Sequence, residues 1–240
     1  LVHRNGDNLL IDRNGVNVVN VLYSAIPFDC IKINGLAGDD TLIIDFSTGD
    51  PIPVGGISFD GGTQGPLGDA IELLNGIFDT IEHTFLTASS GTVTFDPDGA
   101  GGVSASLLQY EGLEPVFDNL GAVNRIFIFM GGAETITLSD DVGAIAGIST
   151  IDSNLGELVD FASPVSTLLI SSDSGNDIIN IQGADASLGA AVVIDGGVGS
   201  NSVNFNGALP TLDSLFVTNA AINIANGGLN TSGEIGRAHV

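Results

Sequence analysis

Two stretches decide the reading of this chain: Gly38-Asp39-Asp40-Thr41-Leu42-Ile43-Ile44 and Gly175-Asn176-Asp177-Ile178-Ile179-Asn180-Ile181. Each has a glycine, a pair of Asp or Asn residues, and then four residues suited to a strand. Working outward, Ile57-Ser58-Phe59-Asp60-Gly61-Gly62 matches Val192-Val193-Ile194-Asp195-Gly196-Gly197, and Gly68-Asp69-Ala70-Ile71-Glu72-Leu73 matches Ser200-Asn201-Ser202-Val203-Asn204-Phe205. The three pairs keep their order, at offsets of 137, 135 and 132 residues. Within a copy the turn recurs after 29 residues (Asp40 to Asp69) or 24 residues (Asp177 to Asn201). Several short strands in a period of 20 to 30 residues are the mark of a chain that winds in stacked coils.

One winding of short strands cannot bury its own inward face. Stacking windings about 4.8 Å apart completes the backbone hydrogen bonds and aligns equivalent side chains. The pattern predicts Leu42, Ile44, Ile71, Leu73, Ile179, Ile181, Val203 and Phe205 as inward residues. Asn, Asp and Gly at the corners suit the tight turns such a path needs. The other strand candidates, such as Val16–Val21, Thr92–Phe95, Arg125–Phe129 and Ala221–Ile224, are four to six residues long. The best helical candidate, Asp69–Leu74, reads at least as well as a strand. The expected fold is all-β: an elongated right-handed parallel β-helix, or β-solenoid, over residues 1–233, with related blocks at about 33–76 and 170–207. The alternative is a β-sandwich of longer strands.

Composition agrees with an all-β chain. Of 29 acids 22 are Asp, and glycine numbers 34 of 240 residues; turns favour both, whereas helical surfaces favour Glu. Five basic residues leave a net charge of −24, which excludes neutralising a row of phosphates and disfavours anionic lipid. No apolar run is long enough to span a membrane as a helix. The chain opens on Leu1 with no signal peptide in view, which reads as a fragment of a longer protein. Its last residues, Glu234–Val240, resemble the translation of a sequencing-adapter read-through and are set aside as non-native.

The turns carry a resemblance. Gly35–Leu42, Asp173–Ile179 and Gly196–Val203 resemble the G-G-x-G-x-D-x-U-x nonapeptide of RTX (haemolysin-type calcium-binding) proteins. The layout, with Leu108–Pro115 and Gly132–Leu138, is similar to large acidic repeat proteins of bacterial surfaces, and Leu215–Ile224 with Gly227–Gly233 is similar to the coils of haemagglutinin-type adhesins. The resemblance implies Ca²⁺, with Asp39, Asp40, Asp69, Asp173, Asp177 and Asp195 as ligands and Gly35, Gly38, Gly175 and Gly197 shaping the turns. The matches are isolated rather than tandem, and Leu36, Asp173 and Asn201 replace motif residues. A hard cation wants six to eight oxygens, so a turn needs the stacked turn above it. Solvated turn carboxylates are the plainer reading of the same residues.

Catalytic signals are sparse. No nucleophile elbow, phosphate loop or dinucleotide fingerprint occurs, and Gly99–Gly102 does not precede a helix. His83 stands alone and reads as exposed or capped. Arg125 reads as a strand-edge charge, and Cys30 as a small buried hydrophobe. With no Trp and two Tyr, sugar stacking has little to work with. The expectation is an extracellular or surface-attached bacterial segment, continuous with further repeats, non-enzymatic, presenting a rigid acidic face to cell-surface or matrix components. The alternative is a β-helix that binds or cleaves polysaccharide, using two facing acids or one of Arg4, Arg13, Lys32 and Arg125.

Overall fold

A computed structural model describes residues 1–26, 30–101, 105–141, 143, 145–224 and, for the backbone, 235–238. Phe28, Asp29, Gly102 and the tail positions 225–234 and 239–240 lie outside the described residues. Strand accounts for 57% of the chain, against the roughly 20–25% of an average domain, which settles the all-β class. The one helical element among the described residues is a 3₁₀ turn at Tyr23–Ala25.

Two large sheets share one core. The chain enters through an antiparallel meander of β1 (Val2–Asn5), β2 (Asn8–Arg13) and β3 (Val16–Leu22). It then alternates between sheets: β4 (Ile31–Asn34), β5 (Ala37–Gly38) and β6 (Thr41–Asp45), followed by β7 (Ile57–Asp60), β8 (Thr63–Gln64) and β9 (Ala70–Leu74). The second pass lies parallel on the first, β7 on β4, β8 on β5 and β9 on β6.

The path then changes. β10 (Ile77–Thr87), β11 (Ser90–Asp96) and β12 (Ser106–Glu111) form an antiparallel switchback whose last strand returns beside β7. β13 (Val116–Asp118) joins β9, and β14 (Gly121–Phe129) runs parallel to β10. A second switchback, β15 (Thr135–Asp140), β16 (Ile148–Ser153) and β17 (Gly156–Ala162), returns to β13 in the facing sheet. Each switchback adds two antiparallel strands to its own sheet, so the two sheets keep pace.

From there pairing is parallel again: β18 (Thr167–Ser172), β20 (Ala191–Asp195), β22 (Leu215–Thr218) and β24 (Ile235–Ala238) extend one sheet, and β19 (Ile178–Ile181), β21 (Ser202–Phe205) and β23 (Ala221–Ile224) the other. The result is a 10-stranded and a 12-stranded sheet, with β5–β8 as a small third. The terminal segment set aside on sequence grounds thus supplies β24.

All eight predicted inward residues are buried, none above 5% exposed. The matched stretches fall on equivalent elements: β6 and β19 in one sheet, β7 and β20 in the other, β9 and β21 again in the first. Their corners match too, with Gly38, Gly175 and Gly199 at φ of 129°, 141° and 143°. A Cβ on Gly199 would sit 1.5 Å from the Gly175 carbonyl oxygen, so the stacked turn below leaves room for nothing else.

An all-parallel path was expected, and three antiparallel meanders correct it in part. Strands of four to six residues were expected as well. β10, which opens the first switchback, has 11 residues, and β14, which pairs parallel with β10 along its length, has nine.

Candidate functional site

Alternation along several strands of the 12-stranded sheet puts a polar residue at the inward position just before the strand or ahead of its apolar run. Asp40 precedes Leu42 and Ile44, Asp69 precedes Ile71 and Leu73, Glu157 precedes Val159 and Phe161, and Glu134, Asp177 and Asn201 begin the corresponding runs beyond. Strand register stacks them: Asp40, Asp69, Glu114 and Glu157 in one series, Glu134, Asp177 and Asn201 in another.

Most of this column is satisfied by its neighbours. The Asp40 N–H donates to Asp69 Oδ1 (2.7 Å), the Glu134 N–H to Asp177 Oδ1 (2.9 Å), and the Asp177 N–H to Asn201 Oδ1 (2.8 Å). Asp69 and Asp177 are buried, and each keeps an Oδ2 without a hydrogen-bond partner.

The predicted calcium ligands divide between two places. Asp39, Asp40 and Asp69 sit just before β6 and β9, and Asp173, Asp177 and Asp195 lie between β18 and the end of β20. Asp39 Oδ1 accepts the Leu67 N–H (3.0 Å); Asp195 Oδ1 accepts Asn219 Nδ2 (2.7 Å) and the Gly197 N–H (3.1 Å). Asp173 is exposed. Among the described residues, no three His, Cys, Asp or Glu side chains are grouped so as to hold one metal ion.

The column breaks at the second switchback. Glu157 on β17 is 1% exposed, yet neither carboxylate oxygen has a hydrogen-bond partner. The N–H that would answer it from the next strand belongs to Glu114, and it donates instead to the Asp69 carbonyl oxygen (2.8 Å). Burial, then the charges of Glu114 and Asp152, push the Glu157 carboxyl up to about 8; the adjacent Leu158 amide opposes this weakly. Asp152 is raised as well, by its own burial and by Glu114. These three acids line an open cavity of about 460 Å³ with Leu67, Pro115 and Leu158. The Tyr110 phenol is also raised, by burial and by Glu157, and its oxygen is unpartnered.

A second polar cluster lies in the core. His83 on β10, Asp118 on β13 and Arg125 on β14 are all fully buried. Asp118 Oδ2 accepts from His83 Nε2 (2.8 Å) and from Arg125 Nη1, and Arg125 Nη2 donates to the Leu120 carbonyl oxygen (2.8 Å). A carboxylate only accepts, so the His83 proton sits on Nε2. Burial holds the His83 pKa down and the imidazole neutral. For Asp118 burial opposes ionisation, but Arg125 and His83 outweigh it, and the carboxyl stays low. Arg125 lies over the Phe161 ring (5.7 Å) and His83 stacks on Phe127 (5.2 Å). The expected exposed or capped histidine and strand-edge arginine are therefore corrected: each occupies an inward position of its strand, His83 between buried Ile81 and Phe85, and Arg125 ahead of buried Phe127. Cys30, expected to be buried, is half-buried and free.

A third feature lies beside the entry meander. A cleft of about 560 Å³ gathers Asp12, Asp39 and Asp40 with Arg13 and Lys32. Asp12 is held low by its Asn17 hydrogen bond and by His3 (3.0 Å). The cleft therefore offers cations and an ionised acid.

Comparison with protein-family models, curated proteins and solved structures returns no match.

Proposed function

We propose that the chain is a β-solenoid with two main strands per winding, and that it serves as a rigid structural or adhesive segment of a bacterial extracellular or cell-surface repeat protein. One observation carries this reading: outside the switchbacks, equivalent residues stack in parallel register at intervals of 19 to 29 residues. Thr167 pairs with Ala191 and Ile178 with Ser202, each 24 residues on, and the outward Asn180, Asn204 and Asn223 hydrogen-bond in a file (3.0 and 2.8 Å). At ~4.8 Å per strand, ten strands make an axis of roughly 45 Å. Such a body presents surface, and its acidic face keeps like-charged neighbours apart.

The repeat makes this testable by surgery. Deleting residues 178–201 removes one whole winding and joins Asp177 to Ser202, so β21 drops into the seat of β19. The shortened chain is expected to melt cooperatively with an all-β spectrum. Deleting residues 178–189, half a winding, is expected to abolish folding. Loss of folding in the first, or equal tolerance of both, would overturn the coil.

Calcium in the turns belongs to the same proposal, with the partnerless Oδ2 atoms of Asp69 and Asp177 as anchors. Millimolar Ca²⁺ should then raise the melting temperature more than equal Mg²⁺, since Ca²⁺ accepts irregular oxygen shells more readily. Equal shifts would mean screening alone.

A second reading, polysaccharide binding, is favoured by the cleft of Asp12, Asp39, Asp40, Arg13 and Lys32. Its low-held Asp12 suits binding rather than proton donation. Retention on an immobilised polysaccharide that Lys32→Ala and Arg13→Ala both weaken, without release of reducing ends, is the expected outcome. Release of reducing ends would replace the non-enzymatic reading with a catalytic one.

A further inference from the structure

We propose that the cavity lined by Glu114, Asp152 and Glu157 binds an aliphatic ammonium group, the charged end of an alkylamine. Three observations meet there. Glu157 is buried with both acceptor oxygens unpartnered while it lines an open cavity, and a buried acceptor without a donor is costly unless something supplies one. The lining holds three acids and, among the described residues, no Lys, Arg or His, so the missing donor is a cation. The same lining includes Leu67, Pro115 and Leu158, which suits a methylene stem.

A metal ion fits less well, because no three of the described acids are grouped closely enough to share one. An ammonium carries three N–H donors and can bridge carboxylates set further apart, each bond strengthened by charge.

The groups facing Glu157 fix the pH behaviour. Glu114 ahead of β13 and Asp152 on β16 both repel its charge, while Tyr110 on β12, raised by burial and by Glu157, faces it as a neutral phenol. With its carboxyl pushed up to about 8, Glu157 carries a proton at pH 7, and an arriving ammonium displaces it. Binding should therefore release close to one proton per ligand at pH 7, and tighten about tenfold between pH 7 and pH 9 as the ionised fraction rises from about a tenth to about nine-tenths.

The experiment is calorimetric titration with n-butylammonium at pH 7 in two buffers of different ionisation enthalpy, repeated at pH 9. Proton release and the tenfold gain, both lost in Glu157→Gln, would support the site. Folding of that variant is checked by its melt. Asp152→Asn should weaken binding several-fold and keep the proton release. Equal affinity for n-butanol, equal binding by Glu157→Gln, or full competition by Mg²⁺ at equal ionic strength would overturn it. Spermidine and Nα-acetyl-lysine N-methylamide then separate the two sources of such a group. Tighter spermidine points to a free polyamine, whereas acetyl-lysine matching butylammonium points to a lysine side chain.

Discussion

Between β18 and β23 every strand lies parallel to its neighbours, and the polar side chains of one strand meet those of the next: Asn204 on Asn180, Asn223 on Asn204, Asn219 on Asp195. Between β10 and β17 the chain doubles back twice, and its inward polar groups include His83, Asp118, Arg125, Glu134 and Glu157. In the parallel stack a residue meets its own equivalent, so small neutral or Asx side chains bond to one another from strand to strand, although Asp177 keeps one free oxygen. In the switchbacks that equivalence is lost. A buried polar group there needs a partner from elsewhere in the sequence, as the core trio has, or goes without, as Glu157 does. Repetition gives each polar group a like neighbour, and its interruption gives chemical individuality.

The largest effect should come from breaking the core trio. Arg125→Met leaves Asp118 buried with its charge opposed only by a neutral imidazole. Removing one partner of a buried ion pair costs about 3–5 kcal/mol, while replacing the whole group by apolar residues can be near neutral. Urea unfolding should show that loss for Arg125→Met, and a smaller one when His83→Leu and Asp118→Leu are added. A single-variant loss below about 1 kcal/mol would mean that the trio contributes little to joining the sheets.

The parallel stack breaks at its turns. Gly199→Ala drives a Cβ into the Gly175 carbonyl oxygen at φ 143°, a conformation and a contact that only glycine accepts. The cost should be about 1–3 kcal/mol or more. Gly132→Ala, in the same column but with nothing within 4 Å of its Cβ, should be nearly silent. If both variants melt alike, the turns are not stacked as described.

Much of the stack could be read from sequence because a repeat writes its contacts twice. Leu42 and Ile179 are inward for the same reason, and Gly38 and Gly175 turn the same corner. The switchbacks were not legible, since period-two alternation marks a strand but says nothing of its direction. β10 reads Ile81, His83, Phe85 on its inward face, and β14 reads Arg125, Phe127, Phe129. The signal for the trio was present in that alternation: a charged residue at inward parity in an apolar strand needs a buried partner. Glu157 carried the same signal, two residues ahead of Val159 and four ahead of Phe161. What no local pattern could supply was the antiparallel return that set it beside Glu114 and took away its donor.

Acid and base should act oppositely on the two polar sites of the middle region. Glu157 binds its proton more tightly folded than unfolded, so its contribution falls as pH rises from about 4.5 to about 8. Glu157→Gln should therefore melt near wild type at pH 4.5 and increasingly above it towards pH 8.5. The trio runs the other way: His83, held low, favours folding above 6.5, and that contribution is lost on acidification through and below that value, with Asp118 following below 3.8. Melting curves of wild type and Glu157→Gln across this range separate the two. A difference that does not change with pH would show that Glu157 titrates as an ordinary glutamate.

The smallest effect tests whether the Asn file contributes at all. Asn204 donates to Asn180 and accepts from Asn223, so Asn204→Ala removes two hydrogen bonds from a half-buried surface. Net contributions of about 0.5–1.5 kcal/mol per bond are ordinary for buried pairs, and water replaces part of this at the surface. A loss of about 1 kcal/mol is expected. Asn223→Ala should remove one bond and lose about half as much. In a double-mutant cycle the two changes should fall short of additivity by the energy of the shared bond. Strict additivity would mean that water serves these amides as well as they serve each other, and that the parallel stack rests on its inward Ile, Val and Phe residues and its turns alone.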